Sequence, residues 1–188
     1  MTPDHSLERF KKAQDDPNSG FATALAEMQA GKKTSHWIWY VLPQLASLGR
    51  SDTARFYGIA DLAEARAYLD DPVLSERLLR MTEVIAEQLK RGVTLPVLMG
   101  SDGDCGKLMS CMTLFQRAAK CLATGAEARE GDVRFSKLAR ACGEVLALAG
   151  SQGFVRCAHT EAACLACRSA ENCIAPRSEE LCSFTRYA

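Results

Sequence analysis

The chain has 188 residues, 47% of them hydrophobic, and its 23 basic side chains balance 23 acidic ones. That is enough apolar material for one domain with a real core, while the even charge, with no block of one sign, leaves no electrostatic footprint for a nucleic-acid backbone or an anionic membrane. The amino-terminal MTPDHSLERFKKAQ is charged where a secretory signal needs an apolar stretch, and the longest aromatic-aliphatic run, Trp37 to Leu42, is far too short to span a bilayer.

A cytoplasmic protein without nucleic-acid or membrane partners is therefore expected. All nine cysteines lie from Cys105 onward, and an odd number in a reducing compartment argues against a disulfide framework.

In chain order, Ser6 can cap a helix over LERFKKAQ, DDPNSG is turn chemistry, and FATALAEMQA places Phe21, Leu25 and Met28 at helical spacing before Gly31 stops it. The run HWIWYVL that follows fits either a buried strand or a short buried helix. Pro43 disfavours helical geometry at Leu42 and ends the element in either case, leaving QLASLGR as a loop or brief turn.

Ser51 caps DTARFY, and Asp61 with Glu64 forms a capping box ahead of LAEARAYL. Asp71 and Pro72 then open a long helix carrying Val73, Leu74, Leu78, Met81, Val84, Ile85 and Leu89 on one face. VTLPVLMG makes a single helical turn. The acidic SDGDCG provides caps for a helix from about Lys107 to Leu122, with Leu108, Cys111, Met112, Phe115, Ala119 and Leu122 as its buried stripe. Asp132 starts a further helix through Phe135, Leu138, Cys142, Val145, Leu146 and Ala149 to Gly150. Nothing alternates strictly over a strand's length and no repeat is visible, so the expected fold class is all-α: one multi-helical domain over residues 5–150. A cysteine-rich tail over 151–188, partly helical or poorly ordered, is its appendage.

The stretches SHWIWYVLPQLASLGRS, FYGIADLAEARAYLDDPVLSERL and LMGSDGDCGKLMSCMTLF, in that order and spacing, resemble the signature blocks of the family known as domain of unknown function 1810. The resemblance is clearest over residues 6–117. Members of that family often carry the label calpastatin, but nothing inhibitor-like in the chain matches it. The resemblance implies a single all-helical domain and no known activity, and the tail has no counterpart in the pattern.

Five of the thirteen aromatic residues, Trp37, Trp39, Tyr40, Phe56 and Tyr57, fall close together. Aromatics dominate buried area in small domains, so some of these fill the core; Trp and Tyr also carry polar handles suited to the wall of a pocket. If residues 36–42 are helical, Trp37, Tyr40 and Val41 share one face and His36 with Trp39 another; a strand would instead align Trp37, Trp39 and Val41. His36 and Gln44 supply convergent polar groups, and His36 is the candidate acid-base group should the protein be an enzyme.

In SDGDCGKLMSCMT, Gly103 and Gly106 allow close backbone approach, a helix start offers free N–H groups, and Lys107 adds positive charge with Ser110 one turn on. The resulting candidate ligand-binding set is His36, Trp39, Tyr40, Gln44, Tyr57, Lys107 and Ser110, for a small molecule or peptide. The alternatives are an enzyme acting on a nucleotide-like or phosphorylated metabolite and a protein-interaction scaffold. Cys105 beside Lys107 could be an activated thiol, although an ordinary cysteine is favoured. No cofactor motif is present; Cys164 and Cys167, completed by two of Cys157, His159, Cys173 and Cys182, could form a zinc site that lacks a second paired half.

Overall fold

The computed structural model describes residues 7–124 and 133–171, apart from the side chains of 167–171. Among the described residues every regular element is a helix, with a lone parallel bridge between Leu45 and Ile59 as the one piece of β pairing. No helix of the described residues is long and apolar enough to cross a membrane.

Two short helices, α1 (Glu8–Gln14) and α2 (Phe21–Gln29), precede α3 (Ile38–Val41), a 3-10 turn at Ala46–Leu48 and α4 (Asp52–Phe56). Then come α5 (Leu62–Asp70), α6 (Pro72–Lys90), α7 (Leu95–Met99), α8 (Asp102–Thr124), α9 (Val133–Gly150) and α10 (Ala158–Glu171). Ser6 and Asp132, expected as caps, lie outside the described residues.

Of the long helices, α9 packs on both α6 and α8, and the three hold much of the core. Leu74, Leu78, Met81 and Ile85 of α6, Leu108, Met112 and Phe115 of α8 and Phe135, Leu138, Cys142 and Val145 of α9 belong to one apolar cluster, all shielded from solvent. Each large apolar side chain so buried contributes about 1.5–3 kcal/mol before entropy is subtracted. Val73, expected on that face, is 42% exposed because it sits at the helix opening, where no neighbour covers it.

Local chemistry sets the helix starts. Asp71 accepts from the N–H groups of Val73 and Leu74 with Pro72 at the first position, and Ser51 accepts from Ala54. Asp61 accepts from Glu64 N at 2.9 Å, but the reciprocal half of the box is absent: Glu64 turns instead to Ala60 N and to Arg9. The helix expected from about Lys107 begins five residues earlier, at Asp102. Ser101 is the reason, since its hydroxyl accepts from Asp104 N at 3.2 Å and its carbonyl from Cys105 N at 3.0 Å. Gly103 and Gly106 thus sit inside the helix, not in a loop.

Side chain to backbone bonds replace helix length between residues 31 and 60. Arg9, 5% exposed, donates to the carbonyls of Phe56 and Gly58 and pairs with Glu64 at 2.7 Å, which ties α1 to the connection between α4 and α5. Gln14 donates to Tyr40 O at 2.7 Å and to the Tyr68 hydroxyl at 3.1 Å. At the bridge, Ile59 N donates to Gln44 O and Ala46 N to Ile59 O. This pairing presses the 3-10 turn onto Gly58, where a Cβ would lie 2.4 Å from Ala46 Cα, so only glycine fits.

Candidate functional site

Glu27 of α2 anchors the chain that leads into the site. Its Oε2 accepts from Thr34 N at 2.8 Å, Ser35 N at 3.1 Å and Trp37 Nε1 at 2.8 Å. Burial works against ionisation, but the hydrogen bonds from Ser35, Thr34 and Trp37 outweigh it and hold the carboxyl down to about 2. The clamp fixes the chain entering α3. Because residues 38–41 are helical, Trp37 turns inward with 0% exposure while Trp39 stays half-buried one face away.

Trp39 then meets α8. Lys107 Nζ stands 5.1 Å from the indole ring centroid, and the exposed His36 ring stacks 6.3 Å away at 23°. Lys107 is held from below by Asp104 at 2.8 Å, whose other oxygen pairs with the largely buried Lys33 at 2.7 Å. Burial raises the Asp104 pKa, yet bonds from Lys107 and Lys33 more than offset this and keep the carboxyl below its ordinary range.

Between these elements lies an open hollow of about 530 Å³. Trp39 and Gln44 form one wall, Arg50 and Ser51 the rim, and the α8 residues Gly103, Gly106 and Lys107 the floor. Gly106 would carry a Cβ into empty space, with no atom within 4 Å, and Gly103 nearly so. Neither glycine is required by its backbone angles or by protein packing. Each costs an α-helix about 1 kcal/mol relative to alanine. The polar handles are unspent as well: among the described residues the Trp39 indole N–H, the Gln44 amide and the Arg50 guanidinium have no partner. Arg50 and Lys107 bring positive charge to the hollow, Lys107 being paired with Asp104 of the acidic opening turn of α8.

The structure thus gathers Trp39, Gln44, Lys107 and Ser110 around one hollow, with His36 stacked on Trp39 but not among the lining residues. Tyr40 and Tyr57 line a separate hollow with Arg9, Lys12 and Phe56. There the rings pack edge to face at 5.2 Å and the Tyr40 hydroxyl donates to Ser19 O at 2.8 Å; burial pushes both phenols up. Ser110, 1% exposed, shares its hydroxyl with Thr160 at 2.9 Å.

Cys105 is 0% exposed, and burial, with Asp102 and Asp104 nearby, pushes its thiol up to about 11, the reverse of activation.

Sequence reasoning missed Arg50 and Cys157, which line the hollow, and the contact of Ser47 with His159 at 2.8 Å. The local signal for Arg50 was its place beside the Ser51 cap; nothing local announces Cys157, whose neighbours in space are far away in sequence. Cys157 arrives because α10 docks on α8 through the Ser110–Thr160 pair and the bond from Cys157 N to Thr113 Oγ1. Among the described residues no three His, Cys, Asp or Glu side chains gather as a metal-ligand set, and Cys173, Cys182 and the Cys167 side chain lie outside them.

A family model described as protein of unknown function (DUF1810) matches residues 4–128. The chain is similar to a solved structure, the conserved hypothetical protein Rv1873 from Mycobacterium tuberculosis, at 32% identity and a TM-score of 0.61 over 83% of this chain and 94% of that one. No curated protein matches the chain.

Proposed function

We propose that this chain, which belongs to the DUF1810 family of proteins of unknown function, is a small-molecule-binding domain. Its ligand is a planar anion of the nucleotide-like or phosphorylated kind, held between Trp39 and the opening turns of α8. One observation carries the reading: two glycines leave bare helix floor opposite a tryptophan, under an ammonium and an unpaired guanidinium, with no internal reason for either glycine.

The physical chemistry of each part is ordinary. Trp39 offers an aromatic face for stacking and an indole N–H for a polar atom. Arg50 offers a planar fork that matches an oxyanion with two parallel bonds, and Lys107 adds a point charge on the same side. A volume of about 530 Å³ falls in the range of small-molecule sites, which favours a metabolite over a peptide. A scaffold would need a broad apolar face. The exposed large hydrophobics among the described residues, such as Phe56, Val97 and Val155, are instead spread along the chain.

Intrinsic fluorescence tests the reading, since Trp37 is buried and bonded to Glu27 whereas Trp39 faces the hollow. Titration with adenosine monophosphate and other planar phosphates gives a saturable change in emission that disappears in Trp39→Phe. In Arg50→Gln the midpoint moves to about tenfold higher ligand, the loss expected when a charged hydrogen bond is removed. A panel in which no planar phosphate alters the emission, or one whose effect survives in Trp39→Phe, refutes it.

A further inference from the structure

A second cavity lies on the other side of α10. It encloses about 300 Å³ between α8 and α10, and Gln116, Arg117, Lys120, Arg156, Glu161 and Leu165 line it. Three of those side chains are cations and one is an acid. Arg156 is positioned through one nitrogen, Nη1, which donates to Gln116 Oε1 at 2.8 Å and stands 3.9 Å from Glu161, leaving the other edge of its guanidinium to the cavity. Gln116, 7% exposed, donates in turn to Ala139 O at 3.3 Å, and a Cβ on Gly143 would lie 2.5 Å from its amide nitrogen, so the amide has one place to be.

Arg117 and Lys120 are different. Arg117 is half-buried and Lys120 exposed, and among the described residues neither has a hydrogen bond or ion pair. A charged group withdrawn from water is ordinarily paired, and here the half-buried Arg117 meets no acid among the described residues, while three cations against the single Glu161 leave the lining of the cavity with an excess of positive charge.

We infer that this cavity is an oxyanion site separate from the hollow at Trp39, built for a phosphate group, with Arg117 and Arg156 as its paired forks and Lys120 as a flexible third contact. Arginine suits the task because its planar guanidinium meets two oxygens of one phosphate at once, and two of them on facing elements enclose the group. Leu165, 54% exposed at the edge, gives an apolar surface against which the rest of a phosphorylated small molecule can lie.

The site is shared between two parts of the chain. Arg117 and Lys120 belong to the stretch that matches the family model, which ends at 128, and Arg156 and Glu161 come from beyond it. Phosphate binding therefore ties the carboxy-terminal segment to the domain. The segment also separates the two hollows, since Arg156 faces this cavity and the adjacent Cys157 lines the one at Trp39.

Calorimetric titration of the full chain with inorganic phosphate and with pyrophosphate, at fixed ionic strength, reads the site directly. Binding is saturable and falls at least about tenfold in an Arg117→Gln, Arg156→Gln double variant, while Arg91→Gln, which removes an exposed guanidinium of the α6 end that lines neither hollow, keeps it. Should the double variant not fold by circular dichroism, Lys120→Glu, a change at an exposed position, weakens the same titration. No saturable heat from either anion up to millimolar concentration overturns the inference. So does equal affinity in the cavity variants, and so does a loss that appears in Arg50→Gln alone, which would put the anion in the other hollow.

Discussion

Residues 31–60 and the trio of α6, α8 and α9 are built on opposite terms. The trio reaches its stability through length: helices of 18 to 23 residues whose apolar stripes bury most of the core, with only a few buried polar side chains, such as Gln88, Ser110 and Gln116, bonded to neighbouring elements. The 31–60 region has elements of three to five residues, too short to persist alone, and holds them by long-range bonds from Arg9, Gln14 and Glu27 to backbone and ring nitrogen. Where short pieces hang from side-chain hydrogen bonds, gaps and unspent polar groups remain, and the candidate site sits at the seam between the two kinds of structure.

That contrast can be broken at four positions, in decreasing order of expected effect. Phe115→Ala removes a ring with 0% exposure from the centre of the trio and costs about 3–5 kcal/mol in urea unfolding, enough to threaten the whole fold. Gly58→Ala forces a methyl onto Ala46 and costs about 1–3 kcal/mol; a melting temperature equal to the parent's would show that the 3-10 turn does not press on that residue.

Glu27→Gln removes a charge from the clamp on Thr34, Ser35 and Trp37 and costs about 1–2 kcal/mol, with a shift in Trp37 emission. The same carboxylate sets an acid limit. Its pKa in the folded chain, about 2, lies below the ordinary 4.5, so its contribution is complete above about 4.5 and is lost as the pH falls toward 2. Stability measured across that window declines less steeply in Glu27→Gln than in the parent; identical slopes would remove Glu27 from the account.

The same division decides what the sequence could reveal. Helical stripes on α6, α8 and α9 are readable because a 3.6-residue period maps directly onto burial: every expected stripe position of α8 and α9 is buried, and Val73 alone departs on α6. The start of α8 is harder to read, because SDGDCG offers acidic caps at Asp102 and Asp104 as well as the Ser101 that starts the helix at Asp102, five residues before the expected Lys107.

The site was legible only as chemistry. Trp39, Gln44 and Lys107 do face one hollow, yet Tyr40 and Tyr57 open onto another, because a helical turn at 38–41 sends neighbouring aromatics to different faces. Arg50 and Cys157 could not be placed there from spacing, since only tertiary contacts with α10 and the Leu45–Ile59 bridge bring them in.

Gly106→Ala has the smallest effect on stability and tests the central claim most directly, by melting temperature and by titration with a planar phosphate. The new methyl points into empty space and relieves a helix of a glycine, so the protein becomes more stable by about 1 kcal/mol, or roughly 2–4 °C. The account predicts that this more stable protein loses the Trp39 emission response to ligand. A variant that gains the same stability and still responds at the parent's ligand concentration would contradict it, because the bare floor of α8 would then have nothing to do with binding.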